Sequence, residues 1–217
     1  AQLSDVIGAI GRGDPATGLV LIMQFTQHRG LGRQGNRWPR ELAQKVVRDA
    51  VEKGALINAL RVEPELGSPA RGGLPATIAR RTPEGWRVSG RKLYSTGSPI
   101  LSWYALWTRT DEEQPRVGYL LVPAGLAGIS IEETWDHLGL RASGSHDVVF
   151  DDVLVPLENA VDLRFPNEWV GADPQAQAFH AAATSAICTL SLLAALPIFV
   201  VPFPMVVYHF SELPMRQ

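Results

Sequence analysis

Residues 85–110, GWRVSGRKLYSTGSPILSWYALWTRT, decide the fold class because they hold two β-rich runs on either side of a turn. The runs cover residues 86–95 and 103–110, and a Gly-Ser-Pro turn at 97–99 separates them. Glycine and proline are typical of turns, since glycine permits positive φ angles and proline fixes φ. In the second run two sets of side chains alternate, as a strand with two different faces requires. These sets are Trp103, Ala105 and Trp107, and Tyr104, Leu106 and Thr108.

The same pattern of short strands and turns continues on both sides of this stretch. The predicted strands cover residues 75–82, 86–95, 103–110, 117–122, 128–135 and 146–155. Short strands at regular intervals predict an antiparallel β-sandwich or barrel of about 100 residues. We assign this middle β-domain to residues 57–160.

Residues 1–56 have the pattern of helices. Asp14 precedes Pro15, and the pair predicts a helix start because aspartate caps free N–H groups and proline is tolerated at the first helical position. The mostly apolar run at 16–28 predicts a helix buried between neighbours, and a further helix is predicted over 38–54. The expected fold is therefore α+β, with a partial N-terminal helical domain packed on the β-domain.

Residues 161–217 differ in composition from the rest of the chain. Residues 174–211 contain no Lys, Arg, Asp or Glu, and residues 192–208 are all apolar or proline. This length approaches the roughly 20 residues that a membrane-spanning helix needs, but the prolines oppose a continuous helix. We therefore expect a linker, the first turns of a C-terminal helical domain and an atypical apolar tail, and we do not expect a membrane span.

Composition and charge exclude several classes of protein. The 217 residues carry a net charge of −2, with 46% hydrophobic and 19% charged residues. This composition excludes wholesale disorder and argues against a nucleic-acid partner bound through its phosphates. Cys188 is the single cysteine, so no intramolecular disulfide can form, and no His/Cys spacing predicts a metal site. Without a signal-peptide pattern at the start, we expect a cytoplasmic protein.

Three motifs carry chemical information when they are taken together. They read RVEPELGSP at 61–69, GWRVSGRKLYSTG at 85–97 and GLRASGSHDVVFDDVLVP at 139–156. Each motif alone is an ordinary turn or edge strand. In this order, however, they resemble the Thr-Glu-Pro-x-Ala-Gly-Ser-Asp turn, the Gly-x-Lys-x-(Phe/Trp)-Ile-Thr strand and the Phe-x-Asp-Val-x-Val-Pro strand of the acyl-CoA dehydrogenase family. The resemblance covers about residues 1–185.

The resemblance implies a flavoprotein with an N-terminal helical domain, a middle β-domain and a C-terminal helical bundle. It implies FAD as the cofactor and α,β-dehydrogenation of an acyl-CoA thioester, with hydride transfer to flavin N5. It also implies an electron acceptor such as an electron-transfer flavoprotein, and a homotetramer. The cofactor-binding positions of the family fall on Val62, Gly67, Ser68, Tyr94, Ser95 and Thr96.

The sequence departs from the family pattern at important positions. Val62 replaces a threonine and can offer only backbone contacts, and Pro69 replaces an aspartate. The catalytic base of the family is a glutamate of the C-terminal bundle, but after Asp173 the chain offers only Glu212. We therefore assign no catalytic residue. We expect an incomplete chain, or an altered reading frame from Cys188 onward.

Two other functions remain open. The strand at 94–96 also resembles that of reduced-flavin monooxygenases of the same fold, in which His146, beside Ser143 and Ser145, would be a polar group near the flavin. His28, in the apolar helix, is a further candidate for the substrate pocket, although core histidines are more common in such helices. The second alternative is a non-catalytic β-domain that binds a partner protein through the apolar tail.

Three further residues, Glu63, Asp136 and His137, are not expected to be catalytic. Glu63 is expected to orient the turn that it begins. Asp136 and His137 are adjacent, but neighbouring side chains on a strand point to opposite faces, so we do not expect them to form a catalytic pair.

Overall fold

The computed structural model of the chain describes residues 2–33, 35–64 and 74–169. The helices of these ranges precede the sheet, and they are α1 (Gln2–Gly13), α2 (Pro15–Leu31) and α3 (Arg40–Lys53). As predicted, Asp14 caps α2: its carboxylate accepts hydrogen bonds from the N–H groups of Ala16 at 3.0 Å and Thr17 at 3.2 Å. Helix α3 stops at Gly54, whose φ of 66° lies in the left-handed region that favours glycine.

One eight-stranded sheet follows in the described part of the chain. Its strands are β1 (Leu56–Leu60), β2 (Ile78–Arg81), β3 (Trp86–Lys92), β4 (Leu101–Thr110), β5 (Val117–Pro123), β6 (Ile129–Glu132), β7 (Asp147–Val155) and β8 (Ala160–Arg164). The order across the sheet is β6-β7-β3-β2-β4-β5-β8, and β1 pairs with β4. Strand β1 lies along the beginning of β4, whereas β2 lies along its end.

The α+β class is confirmed, but the sheet is mixed rather than antiparallel throughout. Strands β1 and β2 both run parallel to β4. Between β2 and β4 in the chain, β3 runs antiparallel to β2. Strand β3 thus reverses the chain direction once, and the turn before β4 reverses it again. This double reversal provides the crossover that parallel strands need.

Two strands lie where the sequence analysis predicted none. Strand β1 falls at the predicted domain boundary, and β8 falls in the segment that was assigned to the linker. Strand β8 pairs with β5 in antiparallel fashion, with Asp162 opposite Tyr119. The sheet therefore extends to Arg164.

The alternation predicted along β4 is confirmed by the two cores on opposite faces of the strand. Tyr104 and Leu106 belong to the larger core, whose other members include Val88, Leu120, Val148 and Phe150. Trp103 and Ala105 belong to a second core, in which they pack with Leu42 and Val46 of α3. Helix α3 thus covers one face of the sheet.

Helix α2 connects the helical segment to the sheet. Its Ile22 packs with Ile7 of α1, and the side chain of Gln24 reaches β1. The Gln24 Oε1 atom accepts a hydrogen bond from the N–H of Ile57 at 2.7 Å, and its Nε2 atom donates to the carbonyl of Ala55 at 3.3 Å. The helix was expected to be buried on every side, but several of its apolar residues keep partial exposure, namely Val20, Leu21, Met23 and Phe25.

Several predictions concern residues outside the described ranges. Gly67 and Ser68 lie in 65–73, and the predicted first bundle turns, Cys188, the apolar run and Glu212 lie in 170–217. Among the described helices, none combines the length and apolar character that crossing a membrane requires. In the same ranges, His, Cys, Asp and Glu side chains form no group of three suited to a metal ion.

Candidate functional site

The predicted cofactor segment lies in a tight turn after β3, and backbone hydrogen bonds hold it against the loop before β7. The N–H of Ser95 donates to the carbonyl of His146 at 3.0 Å, and the N–H of Gly97 donates to the carbonyl of Ser143 at 2.8 Å. Gly97 has a φ of 78°, and Tyr94 has a φ of 51°. A positive φ in a non-glycine residue is uncommon, and such residues cluster at functional sites. We call this segment, residues 94–97, the site turn.

Three hydroxyl groups form a buried chain where the site turn meets the loop. The Oγ atom of Ser145 lies 3.0 Å from Oγ1 of Thr96 and 2.8 Å from Oγ of Ser143. Thr96, Ser143 and Ser145 are 7%, 1% and 3% exposed, respectively, and we call them the hydroxyl cluster. A hydroxyl can donate and accept hydrogen bonds, so the cluster can orient a polar group. It contains no side chain that takes up a proton near neutral pH.

Ser95 adds a hydroxyl without a partner beside this cluster. Its side chain is buried, and its Oγ atom has no hydrogen-bond partner among the described residues. Most buried polar atoms in folded proteins are paired, so this hydroxyl is an exception among the described residues. The site turn is also fixed from β1, because Nδ2 of Asn58 donates to the carbonyl of Thr96 at 3.1 Å.

Aromatic side chains border the site turn on its exposed side. Tyr94 is 56% exposed. Its ring meets that of Trp135 edge-on at a centroid distance of 6.3 Å and lies 6.4 Å from the ring of His137. The Nδ1 atom of His146 accepts a hydrogen bond from the N–H of Trp135 at 3.1 Å. In the neutral ring the proton therefore resides on Nε2.

The adjacent residues Asp136 and His137 have different partners, but they lie after the end of β6 and not on the strand that the sequence analysis assumed. Asp136 forms an ion pair with Arg141 at 3.0 Å. The ring of His137 lies 3.9 Å from that of Trp135.

A buried ion pair lies directly before the site turn. Nζ of Lys92 donates to Oε1 of Glu63 at 2.5 Å, and the two side chains are 0% and 2% exposed. The same carboxylate accepts hydrogen bonds from the N–H of Ala76 at 2.6 Å and from the N–H and Oγ1 of Thr77 at 3.0 and 2.6 Å. Glu63 thus links the beginning of the connection between β1 and β2 to the residues just before β2 and to the end of β3.

Burial by itself shifts the pKa values of Lys92 and Glu63 in opposite directions. Burial lowers the pKa of Lys92 to about 8, although Glu63 counteracts this effect. Burial by itself raises the pKa of Glu63, but the Lys92 ammonium and the hydrogen bonds from Thr77 and Ala76 outweigh it, and the pKa lies below its usual value. Because both of its oxygens are engaged, Glu63 is not available as a general base.

Val62 approaches the site turn through its backbone alone. Its carbonyl accepts a hydrogen bond from the N–H of Leu93 at 2.9 Å, which places it beside the residue that precedes Tyr94. Since Glu63 also binds Ala76, the two ends of the connection that contains 65–73 lie close together. Gly67 and Ser68 belong to that connection, so their cofactor roles stay predictions.

His28 lies apart from the hydroxyl cluster. It lines a cleft of about 610 Å³ between α2 and α3, and neither Ser143 nor His146 lines that cleft. Its Nδ1 atom lies 3.0 Å from the carbonyl of Gln24. The structure therefore brings together five of the predicted site residues without His28, namely Tyr94, Ser95, Thr96, Ser143 and His146.

Sequence reasoning missed three residues of this site. Ser145 was named only as a neighbour of His146 and was given no role of its own. Lys92 shares a strand face with the buried Val88, and this spacing of four is the signal for its burial. Asn58 carries no such signal, because its contact with Thr96 joins distant parts of the chain.

Comparison with known proteins identifies a matching family and relatives of this chain. Residues 61–153 match the family of acyl-CoA dehydrogenase middle domains. Among curated proteins, the chain is 36% identical over 167 residues to the putative acyl-CoA dehydrogenase YdbM of Bacillus subtilis, a match that covers 74% of this chain and 43% of that protein. It is 31% identical over 176 residues to the amino sugar nitrososynthase RubN8 of Streptomyces rubradiris, covering 73% of this chain and 38% of that protein.

A solved structure of KijD3 in complex with FMN and dTDP-3-amino-2,3,6-trideoxy-4-keto-3-methyl-D-glucose has the same fold. It superposes with a TM-score of 0.69 and 28% identity, over 88% of this chain and 46% of that one. The chain thus spans less than half the length of each of these proteins. The family match and these relatives together show that the chain belongs to the acyl-CoA dehydrogenase family of flavin-dependent oxidoreductases.

Proposed function

We propose that this chain forms the flavin-binding part of an FAD-dependent oxidoreductase of acyl-CoA dehydrogenase type. The observation that carries the proposal is the hydroxyl cluster beside the unpaired, buried hydroxyl of Ser95. A flavin ring has flat apolar faces and an edge of nitrogen and carbonyl groups, and such an edge needs small groups that donate and accept hydrogen bonds. Serine and threonine hydroxyls do both, so the side chains present fit this cofactor. The presence of FMN in the KijD3 complex also supports the proposal of a flavin site.

Each residue of the site has a defined part in this proposal. The hydroxyls of Ser95 and Thr96 hold the polar edge of the cofactor, and Ser145 keeps the Thr96 hydroxyl oriented. Tyr94 packs beside the ring, while Gly67, Ser68 and the backbone of Val62 contact the rest of the cofactor. When bound, FAD supplies the acceptor for a hydride from the substrate.

The substrate class that we propose is an acyl-CoA thioester, which is desaturated between its α and β carbons. The similarity to YdbM, a putative acyl-CoA dehydrogenase, supports this choice. The complete protein would pass electrons to an acceptor such as an electron-transfer flavoprotein, and we propose a cytoplasmic homotetramer. The base that removes the α-proton stays unassigned, because the chain offers only Glu212 after Asp173 and Glu63 is engaged in the ion pair.

Titration with FAD tests the cofactor site. The variants Ser95→Ala and Thr96→Val each remove one hydroxyl, and we expect each to weaken FAD binding by about tenfold, the usual effect of a lost hydrogen bond of about 1.4 kcal/mol. Flavin fluorescence and visible circular dichroism measure the affinity. Ser102→Ala is the matched control, since Ser102 is exposed on β4 and should leave binding unchanged. Equal FAD affinity in all four proteins would refute the assignment.

A reduced-flavin monooxygenase is the second candidate, and the similarity to the nitrososynthase RubN8 favours it specifically. Anaerobic bleaching of the bound flavin by an acyl-CoA would support the dehydrogenase. Product formation that requires a flavin reductase and oxygen would support the monooxygenase. A folded chain without affinity for any flavin would instead favour a non-catalytic domain that binds a partner protein.

A further inference from the structure

The cleft between α2 and α3, which His28 lines, shares no lining residue with the hydroxyl cluster. Its volume is about 610 Å³. Binding sites for small molecules typically measure about 300–1,000 Å³ and combine apolar walls with a few polar groups. The apolar part of this lining consists of Leu31, Trp38, Ala43 and Val47. The cleft therefore has the size and the lining of a small-molecule site.

The charge at the rim of this cleft is positive. Arg40 and Arg48 both line it, and within the described ranges neither guanidinium has a hydrogen bond or an ion pair. The surrounding segment is also basic: residues 29–48 hold five arginines and one lysine but only one acidic residue, Glu41. The whole chain, by contrast, has a net charge of −2. Three arginines of this segment, Arg33, Arg40 and Arg48, line the concave surface.

The start of helix α3 also suits an anion. The helix begins at the edge of the cleft, and the preceding Pro39 makes no side-chain capping hydrogen bond. Free N–H groups at the start of a 14-residue helix favour negative charge.

We propose that this cleft binds a small organic anion in which a phosphate or carboxylate group is joined to an apolar body. Guanidinium groups bind phosphate and carboxylate oxygens through paired hydrogen bonds, so the anionic group lies at Arg40 and Arg48. The apolar body packs against Trp38 and Val47. This site is independent of the proposed flavin function.

Calorimetric titration of the full chain with 1-naphthyl phosphate tests the proposal. We expect saturable binding that weakens with added salt and falls by about tenfold or more in Arg40→Gln/Arg48→Gln, because charge-assisted hydrogen bonds are lost. Val47→Asp should abolish binding by placing a carboxylate in the cleft. The matched control is Arg80→Gln/Arg81→Gln, which removes two exposed charges from β2, outside the cleft lining.

Further ligands distinguish the source of the affinity. Tighter binding of 1-naphthyl phosphate than of 1-naphthoate would assign phosphate esters to the site, and the reverse would assign carboxylates. Equal binding of uncharged 1-naphthol would overturn the proposal, as would undetectable binding of both anions or equal weakening in the Arg80/Arg81 control. Ser95→Ala and Thr96→Val should leave naphthyl phosphate binding unchanged, so this test is separate from that of the flavin site.

Discussion

The ion pair of Glu63 and Lys92 and the hydroxyl of Ser95 are neighbours in the fold, but they differ in whether their polar atoms are paired. Glu63 accepts hydrogen bonds from Ala76, Thr77 and Lys92. The hydroxyl cluster is uncharged, and next to it the buried hydroxyl of Ser95 has no partner among the described residues. Lys92 and Ser95 are only three positions apart in the sequence.

This difference separates a structural role from a binding role. A polar group whose hydrogen bonds are all satisfied inside the protein has no capacity left for a ligand, and it contributes by fixing the strands around it. A buried group without a partner reduces stability until a ligand provides one. We therefore expect changes at Lys92 to act mainly on folding and changes at Ser95 to act mainly on binding.

The largest effect is expected for Lys92→Met, which leaves the Glu63 carboxylate buried without its cation. Removing one partner of a buried ion pair typically costs about 3–5 kcal/mol, because the remaining charge is not compensated. Urea unfolding followed by circular dichroism measures the free energy of unfolding.

The double variant Glu63→Gln/Lys92→Met is the control for this prediction. It removes both charges, so it should cost less free energy of unfolding than Lys92→Met alone. A cost below about 1 kcal/mol for the single variant would contradict the importance of the pair.

The ion pair also predicts how stability depends on pH. Burial lowers the pKa of Lys92 to about 8, whereas an unfolded lysine has a pKa of about 10.4. Between these values the unfolded chain holds a proton that the folded chain has released, so the contribution of Lys92 to stability rises with pH. Relative to Lys92→Met, the free energy of unfolding should therefore increase from pH 7 to pH 10.5. A constant difference between the two proteins would contradict the prediction.

The elements that could be predicted from the sequence depend on residues close together in the chain. The cap at Asp14, the stop at Gly54 and the alternation along β4 each follow from a few adjacent positions. The site turn was located by family resemblance rather than by composition, since Tyr94 and Ser95 alone resemble any strand end.

The features that escaped prediction depend on contacts between distant residues. Strands β1 and β8 have only five residues each, and such short runs do not show a clear period. The parallel pairing of β1 with β4 joins residues more than 40 positions apart, so no local pattern indicates it. Lys92 follows Arg91 and looks like part of an exposed charge pair, but Arg91 binds Glu132 and Asp147 near the surface while Lys92 points into the core.

Smaller effects are expected at the hydroxyls. Ser145→Ala removes the central member of the cluster and takes a hydrogen-bond partner from both Thr96 and Ser143. A buried polar group that loses its partner typically costs about 1–3 kcal/mol, so the free energy of unfolding should fall by that amount. Thermal and urea unfolding provide the measurement, and an unchanged midpoint would show that the cluster does not stabilise the fold.

The smallest change in stability is expected for Ser95→Ala, although its side chain is as buried as those of the cluster. The Ser95 hydroxyl is removed from water without gaining a hydrogen bond among the described residues, so its loss should leave the free energy of unfolding unchanged or raise it by up to about 1 kcal/mol. The same unfolding measurement on Ser145→Ala provides the matched comparison, since both variants delete one buried oxygen, from the site turn itself or from a hydroxyl that contacts it. A large loss of stability in Ser95→Ala would mean that its hydroxyl already has a partner inside the protein, and the argument for a ligand atom at that position would fail.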